Sequence, residues 1–237
     1  MSGSPERLAP NDPAMYDRLA GEWWRPRGVF AMLHWLAAAR GALVPPAREG
    51  AVLVDLGCGA GLLAPHLKGK GYTHIGVDLS LEALRQAAEH GVLGVQGDVL
   101  AVPLPDSCAE VVVAGEILEH VRDLPRAVAE ACRLLRPGGL LVIDTLAATA
   151  VCRWLAIGVA ERLPRIAVRG VHDPGLLVDR ETLVAECAKH GVALALRGIR
   201  PKLTDVAGWL FGRRDAVRMV PVRTTAVLFQ ARGRKRV

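Results

Sequence analysis

Residues 52–67 read VLVDLGCGAGLLAPHL. A short apolar run ends on Asp55, glycines follow at Gly57, Gly59 and Gly61, and a helical pattern then begins. A strand that feeds a helix through a glycine-rich turn lets backbone N–H groups approach a ligand closely. The spacing is G-x-G-x-G, one residue short of the G-x-G-x-x-G of dinucleotide folds. The motif gains weight from the next apolar run, HIGVDLS at 74–80, which ends on Asp78. An acidic residue roughly 20 positions after the glycines suits a ribose diol, because a carboxylate accepts from both hydroxyls. A third run leads to Gly97 and Asp98. A dinucleotide-binding domain with a shortened spacer is the competing reading.

Short apolar runs alternate with helical patterns, as in an α/β sheet. Strands are expected at 51–55, 73–77, 92–96, 110–114, 139–144, 192–199 and 223–230. Helices are expected at 61–70, 80–90, 123–136 and 180–190. Ser80 suits an N-cap, with Glu82 in the first helical turn. Pro137, Gly138 and Gly139 read as a helix stop and a turn into the fifth strand. Residues 1–48 read as a helical cap. Residues 146–178 break the alternation after the fifth strand, where α/β folds place substrate-covering insertions. The whole of 1–237 is expected to form one domain.

Bulk properties narrow the classes. No apolar run reaches the roughly 18 residues needed to span a bilayer. The first residues, MSGSPERLAPNDP, lack a basic region followed by an apolar core, so a secretory signal is not expected. Five scattered cysteines without a C-x-x-C pair read as free thiols in a reducing, cytoplasmic setting. The net charge of +6 comes from dispersed arginines and a basic tail. Aromatics make up only 4% and do not interleave with basic runs, so nucleic acid is not an expected partner. The stretch 146–168 is apolar but interrupted by Arg153 and Glu161. It reads either as a lid packed on the sheet or as an interfacial helix in peripheral contact with a membrane.

The fourth strand runs into Gly115-Glu116-Ile117-Leu118-Glu119-His120. If a helical turn starts here, Glu116, Glu119 and His120 share one face. Two carboxylates and an imidazole can hold a divalent cation, and the oxygens favour a hard ion such as Mg2+. The alternatives are a general base at His120 or a hydrogen bond from it to a loop.

The series of acidic strand ends at Asp55, Asp78 and Asp98 is similar to the class I S-adenosylmethionine-dependent methyltransferases. The resemblance implies a Rossmann-like fold with a seven-stranded, mainly parallel sheet. A narrower resemblance rests on YDRLAGEWWRPRGVFAMLHWLAAAR at 16–40, with its paired Trp23-Trp24, Leu33-His34 and Arg40, on E-x-x-E-H at 116–120, and on RLPRIAVRGVHDP at 162–174. Together these resemble the ubiquinone-biosynthesis O-methyltransferases, which methylate catechol-type rings bearing a polyprenyl tail. The resemblance implies S-adenosylmethionine as cofactor, held by Arg40, Asp55, Gly57, Gly59, Gly61, Asp78, Asp98 and Gly115. It places Arg40 on the methionine carboxylate and Asp78 on the ribose. It makes Glu116, Glu119 and His120 both the catalytic set and the metal ligands, and a phenolic or prenylated small molecule the acceptor.

Two segments depart from that family: Asp144-Thr145-Leu146-Ala147-Ala148-Thr149 and residues 200–222. They leave open methylation of a soluble phenolic or another small natural product, and a non-catalytic cofactor-binding subunit. Trp23 and Trp24 either pack the cap or touch ligand. His34 and the His172-Asp173 pair read either as loop hydrogen bonds or as site residues. His66, His74, His90 and His190 read as surface or structural.

Overall fold

Apolar side chains at consecutive positions of 51–56 and 109–115 are buried on both faces, as in a parallel sheet covered by helices on each side. The computed structural model describes residues 11, 14–159 and 170–237. The insertion segment 160–169, with most of RLPRIAVRG, and nearly all of 1–13 lie outside the described residues. Eight strands form one sheet: β1 Ala51–Leu56, β2 Tyr72–Asp78, β3 Leu93–Gln96, β4 Ala109–Gly115, β5 Leu135–Leu146, β6 Ala195–Pro201, β7 Met219–Val222 and β8 Leu228–Arg234. Their order is β3-β2-β1-β4-β5-β8-β6-β7. Strands β1 to β5 are parallel, β8 runs antiparallel between β5 and β6, and β7 pairs antiparallel with β6 at the edge.

The helices are α1 Ala14–Arg18, α2 Ala31–Gly41, α3 Ala64–Leu67, α4 Leu81–Glu89, α5 Leu124–Leu134, α6 Ala150–Cys152, α7 Arg180–Lys189 and α8 Leu203–Leu210. Ser80 caps α4 by accepting from the Ala83 N–H at 3.0 Å. Asp123 and Asp179 cap α5 and α7 in the same way. Such caps satisfy helix N–H groups that have no intrahelical partner, each contributing about 1 kcal/mol. None of the helices among the described residues is long and apolar enough to cross a membrane.

The sheet has eight strands rather than the expected seven. The expected strand 223–230 starts later, as β8 from Leu228, and an additional strand, β7, precedes it; between them Thr224 crosses close over Gly198, where a Cβ would lie 1.8 Å from its carbonyl oxygen. The added β7 carries Pro221, which an outermost strand tolerates because one side of it needs no ladder donor. The fifth strand starts at Leu135, not at 139. Pro137-Gly138-Gly139 therefore lies within β5, where the register against β4 shifts between Ala109 and Val111. Arg136 precedes a proline, which disfavours helix at that position, so α5 ends early. Between Leu63 and Lys68 only Ala64–Leu67 is α-helical, shorter than the expected 61–70.

One sheet face packs on α5 and α7 through Val112, Leu141, Leu134, Leu183 and Phe229, all fully buried. On α2, Leu36 meets Leu146 and Leu228, while Trp35 meets Trp209 of α8. These contacts hold α2 across the carboxyl ends of the strands, where α/β sheets bind ligands.

Candidate active site

The carboxyl ends of β1, β2 and β4 open into a cavity of about 650 Å3. That size lies in the usual range for a small-molecule site. The three loop glycines sit at positive φ, +66° for Gly57, +51° for Gly59 and +79° for Gly61. Side chains would also collide there: a Cβ on Gly57 would meet Ile117 at 2.6 Å, and one on Gly59 would meet the Trp23 indole at 2.8 Å. Asp78 clips this loop to the start of α4. Its Oδ2 accepts from Gly59 N at 2.8 Å and its Oδ1 from Ser80 N at 2.9 Å. Burial pushes the Asp78 carboxyl up, and the two backbone N–H groups pull it part of the way back. Asp55 is buried and faces the His74 Nε2 at 3.3 Å, which makes His74 a buried partner of the site floor. Gly97 and Asp98 line the same cavity, and Asp98 accepts from Leu100 N at 2.8 Å.

Arg40 reaches the cavity from α2, but its fork is engaged. Nε and Nη2 donate to the two Asp144 oxygens at 2.9 and 2.7 Å. This is the bidentate arrangement that guanidinium and carboxylate favour. Asp144 is fully buried on β5 and Arg40 nearly so. Gly115 admits the guanidinium: a Cβ there would lie 1.8 Å from Arg40 Cζ. Asp55 and Glu116 are the further carboxylates near Arg40.

The turn after β4 differs from the expected helical one. Glu116 adopts φ +52°, and only Leu118–His120 form a 3-10 turn. Glu116, Glu119 and His120 are therefore not successive positions on one helix face. A positive φ is uncommon outside glycine and stores strain of order 1–3 kcal/mol, which tends to persist at functional sites. The Glu116 carboxyl lies beside that of Glu119. Burial and the neighbouring Glu119 and Asp144 push the Glu116 carboxyl well above the usual carboxylate range. Glu119 is fully buried, accepts from Thr145 Oγ1 at 2.6 Å, and is also pushed up by burial.

His120 is held by two residues from the N-terminal segment. The Asn11 amide nitrogen donates to the His120 carbonyl at 2.9 Å, which leaves the amide oxygen facing the ring Nδ1 at 2.5 Å. An amide oxygen only accepts, so Nδ1 carries the hydrogen and Nε2 is the acceptor. The Tyr16 hydroxyl lies 3.4 Å from Nε2. Burial and the adjacent His172 push the imidazole down to about 3, so it is neutral at physiological pH. The His172 ring stacks on it at 5.4 Å.

Glu119, His120 and His172 each present a ligand atom within 4.8 Å of the others. The buried Oε1 atoms of Glu116 and Glu119 lack hydrogen-bond partners among the described residues. These two adjacent carboxyls, one raised partly by its contact with the other, and the neighbouring imidazoles are the groups here that could hold a cation. Glu116 stands next to this cluster, and His172 adds an imidazole that the motif spacing did not indicate. Neither His172 nor Asn11 carries a local signal that ties it to His120; His172 was legible only as part of a His-Asp pair.

The paired tryptophans divide their roles. Trp23 lines the cavity, stacks on Phe30 at 4.4 Å and lies near Tyr16. Trp24 turns away, donating to the Ala60 carbonyl at 3.1 Å and stacking on His90. His34 donates to the Trp23 carbonyl at 2.8 Å and so braces this segment. Val29, Met32 and Leu33 complete an apolar wall.

Residues 54–143 match the methyltransferase domain family. The chain is 31% identical over 215 residues to a ubiquinone biosynthesis O-methyltransferase of Psychrobacter cryohalolentis, covering 77% of this chain and 83% of the relative. It is 36% identical over 169 residues to the ubiquinone biosynthesis O-methyltransferase of Thiobacillus denitrificans, covering 68% and 73%. Among solved structures, an S-adenosylmethionine-dependent methyltransferase of Thermotoga maritima, described as a possible histamine N-methyltransferase, superimposes with a TM-score of 0.65 at 19% identity, covering 94% of this chain and 99% of that one. That last likeness concerns the fold. Glycine loop, acidic strand ends, strand order and sequence relatives converge: the chain belongs to the ubiquinone biosynthesis O-methyltransferase family and is an S-adenosylmethionine-dependent O-methyltransferase.

Proposed function

We propose that the enzyme methylates a phenolic oxygen of a catechol-type ring, with a polyprenylated quinone precursor as its acceptor. The observation that carries this reading is one cavity lined by the glycine loop and Asp78, by Glu116, His120 and His172, and by aromatic and aliphatic side chains. A ring with adjacent oxygens suits the polar groups, and a prenyl tail suits the apolar ones. The relatives' names point the same way. In this reading 1–237 act as one domain, and residues 1–48 and 146–178 cover the acceptor.

Bound S-adenosylmethionine supplies an electrophilic methyl group. The chain aligns the acceptor oxygen with it and removes a proton. Asp78 accepts from the ribose hydroxyls, Gly57, Gly59 and Gly61 let the backbone approach, and Asp55, Asp98 and Gly115 complete the cofactor cradle. The unused Nη1 face of Arg40 is directed to the methionine carboxylate. His120, neutral, takes the phenolic proton on Nε2 as the methyl transfers to oxygen, the acceptor hydroxyl replacing the Tyr16 hydroxyl that faces this nitrogen at 3.4 Å. A divalent cation such as Mg2+ would be held by Glu116, Glu119 and His120, with His172 within reach of Glu119 and His120. It would favour the phenolate, and His120 would then serve as ligand rather than base. Peripheral membrane contact through 146–168 fits the same acceptor; in its described part Val151, Trp154 and Leu155 are exposed.

Incubating the purified enzyme with labelled cofactor and a short-chain prenylated catechol is expected to give a mono-O-methylated product by mass spectrometry. Methylation of unrelated nucleophiles with none on catechols would overturn the reading. Asp78→Ala is expected to weaken S-adenosylmethionine binding by about 1.5–3 kcal/mol, the range for hydrogen bonds to a charged group. Calorimetry returning wild-type affinity would remove Asp78 from the cofactor site.

A further inference from the structure

We propose that His74 is a positioning residue for cofactor binding: it holds the Asp55 carboxylate in place to receive the ammonium group of S-adenosylmethionine. This rests on the assignment of Asp55 to the cofactor cradle, and adds to it a residue that does not touch the ligand.

His74 occupies a place suited to an apolar side chain. It is 6% exposed, and its partner in the register of β1 and β2 is Leu53. Leu53 is fully buried and packs with Val44, Leu63 and Leu67. Paired positions of a sheet point to one face, and the faces of a covered parallel sheet are ordinarily apolar. An imidazole here costs stability, because its Nδ1 is buried and has no hydrogen-bond partner among the described residues. What it gains is the contact of Nε2 with Asp55 Oδ2 at 3.3 Å. A carboxylate oxygen only accepts, so Nε2 carries the hydrogen.

Asp55 follows Leu53 by two positions on β1 and so shares the face of His74. It lines the cavity, whereas His74 lies outside the lining. Among the described residues, His74 is the one hydrogen-bond donor to the Asp55 carboxylate. Arg40 and Asp78 are close enough to interact with Asp55 electrostatically, but each is held elsewhere. Arg40 is forked onto Asp144, and Asp78 accepts from Gly59 and Ser80. Orienting Asp55 is therefore left to His74.

The amino-acid end of S-adenosylmethionine carries an ammonium and a carboxylate on one carbon. A carboxylate beside an arginine is the complementary pair. Asp144 holds the arginine, and His74 holds the carboxylate. With Oδ2 engaged, the Asp55 carboxylate is fixed before the ligand arrives, so less freedom is lost on binding.

The test is calorimetry of the full chain with S-adenosylmethionine and with 5′-methylthioadenosine, which keeps the nucleoside and the sulfur but lacks the amino-acid end. His74→Leu is expected to weaken S-adenosylmethionine binding about tenfold, the loss of one hydrogen bond to a charged group, and to leave 5′-methylthioadenosine binding unchanged. His74→Gln keeps a side-chain N–H donor and should bind S-adenosylmethionine close to wild type. His74→Leu added to Asp55→Ala should cost nothing beyond Asp55→Ala alone, since the group to be positioned is gone. His74→Val, with a side chain suited to strands, keeps the test decisive should the leucine variant not fold. Wild-type S-adenosylmethionine affinity in His74→Leu beside a weakened Asp55→Ala would overturn the proposal and leave the cofactor cradle standing. Wild-type affinity in Asp55→Ala would overturn both. An equal loss of 5′-methylthioadenosine in His74→Leu, or a His74→Gln as weak as His74→Leu, would also overturn it, because a disturbed pocket would then be the cause.

Discussion

Gly115→Ala is expected to unseat Arg40 and lower stability by about 3–5 kcal/mol, the usual loss when one partner of a buried ion pair is removed. The added methyl would lie 1.8 Å from Cζ and 2.0 Å from Nε of Arg40. The guanidinium has little room to yield, being nearly buried and bonded twice to Asp144. Its displacement strands a fully buried carboxylate beside Glu116 and Glu119. Urea unfolding should show a lower midpoint with an unchanged slope, and Arg40→Ala should show a comparable loss. The double variant Gly115→Ala with Arg40→Ala should be no less stable than Arg40→Ala alone, because the clash disappears with the side chain. Additive losses would mean that the glycine serves some other contact.

His120→Ala is expected to lower turnover by about 10²–10⁴-fold, the range for a positioned acid–base group, while leaving S-adenosylmethionine affinity unchanged. Chelation separates the two roles of this residue. A chelator should abolish turnover and Mg2+ should restore it, and Glu116→Ala should lose that activation yet still bind the cofactor. Full turnover in both chelated wild type and Glu116→Ala would sink the metal arrangement and leave His120 as the base. Acid should expose the same residue. Burial holds the folded imidazole down at about 3, against roughly 6.5 when unfolded. The unfolded chain therefore binds the proton first, so this contribution to stability is present above about pH 6.5 and is lost as pH falls toward 3. The drop in urea midpoint between pH 7 and pH 5 should shrink in His120→Ala.

The fold class was legible because its signals are local. An apolar run, a glycine turn and a helix start are neighbours in the chain, and the acid at each strand end stands beside them. Asp55, Asp78 and Asp98 accordingly line the cavity where their positions implied. The eighth strand was less legible, because β7 exists only by pairing with β6 at the sheet edge. Its boundary depends on Thr224 crossing Gly198, a contact between distant segments.

The sequence by itself determined a Rossmann-like sheet, a glycine loop with Asp78 nearby, and carboxylates and an imidazole at the end of β4. Tertiary structure alone decided how those groups are arranged. Arg40 and Asp144 are 104 residues apart, and strand order brings α2 across the end of β5 to join them. Asn11 and His120 are 109 apart, and their contact sets which ring nitrogen carries the hydrogen. Glu116 could be placed on a helical turn from spacing, but its positive φ reflects the packing around β4 and β5, where its N–H donates to the Asp144 carbonyl at 2.9 Å. His172 lies 52 residues after His120 in the chain, yet its ring stacks on His120 at the cavity. Spacing governs neighbours within a turn or two; convergence of distant segments is governed by sheet topology and buried charge pairing, which a linear pattern does not carry.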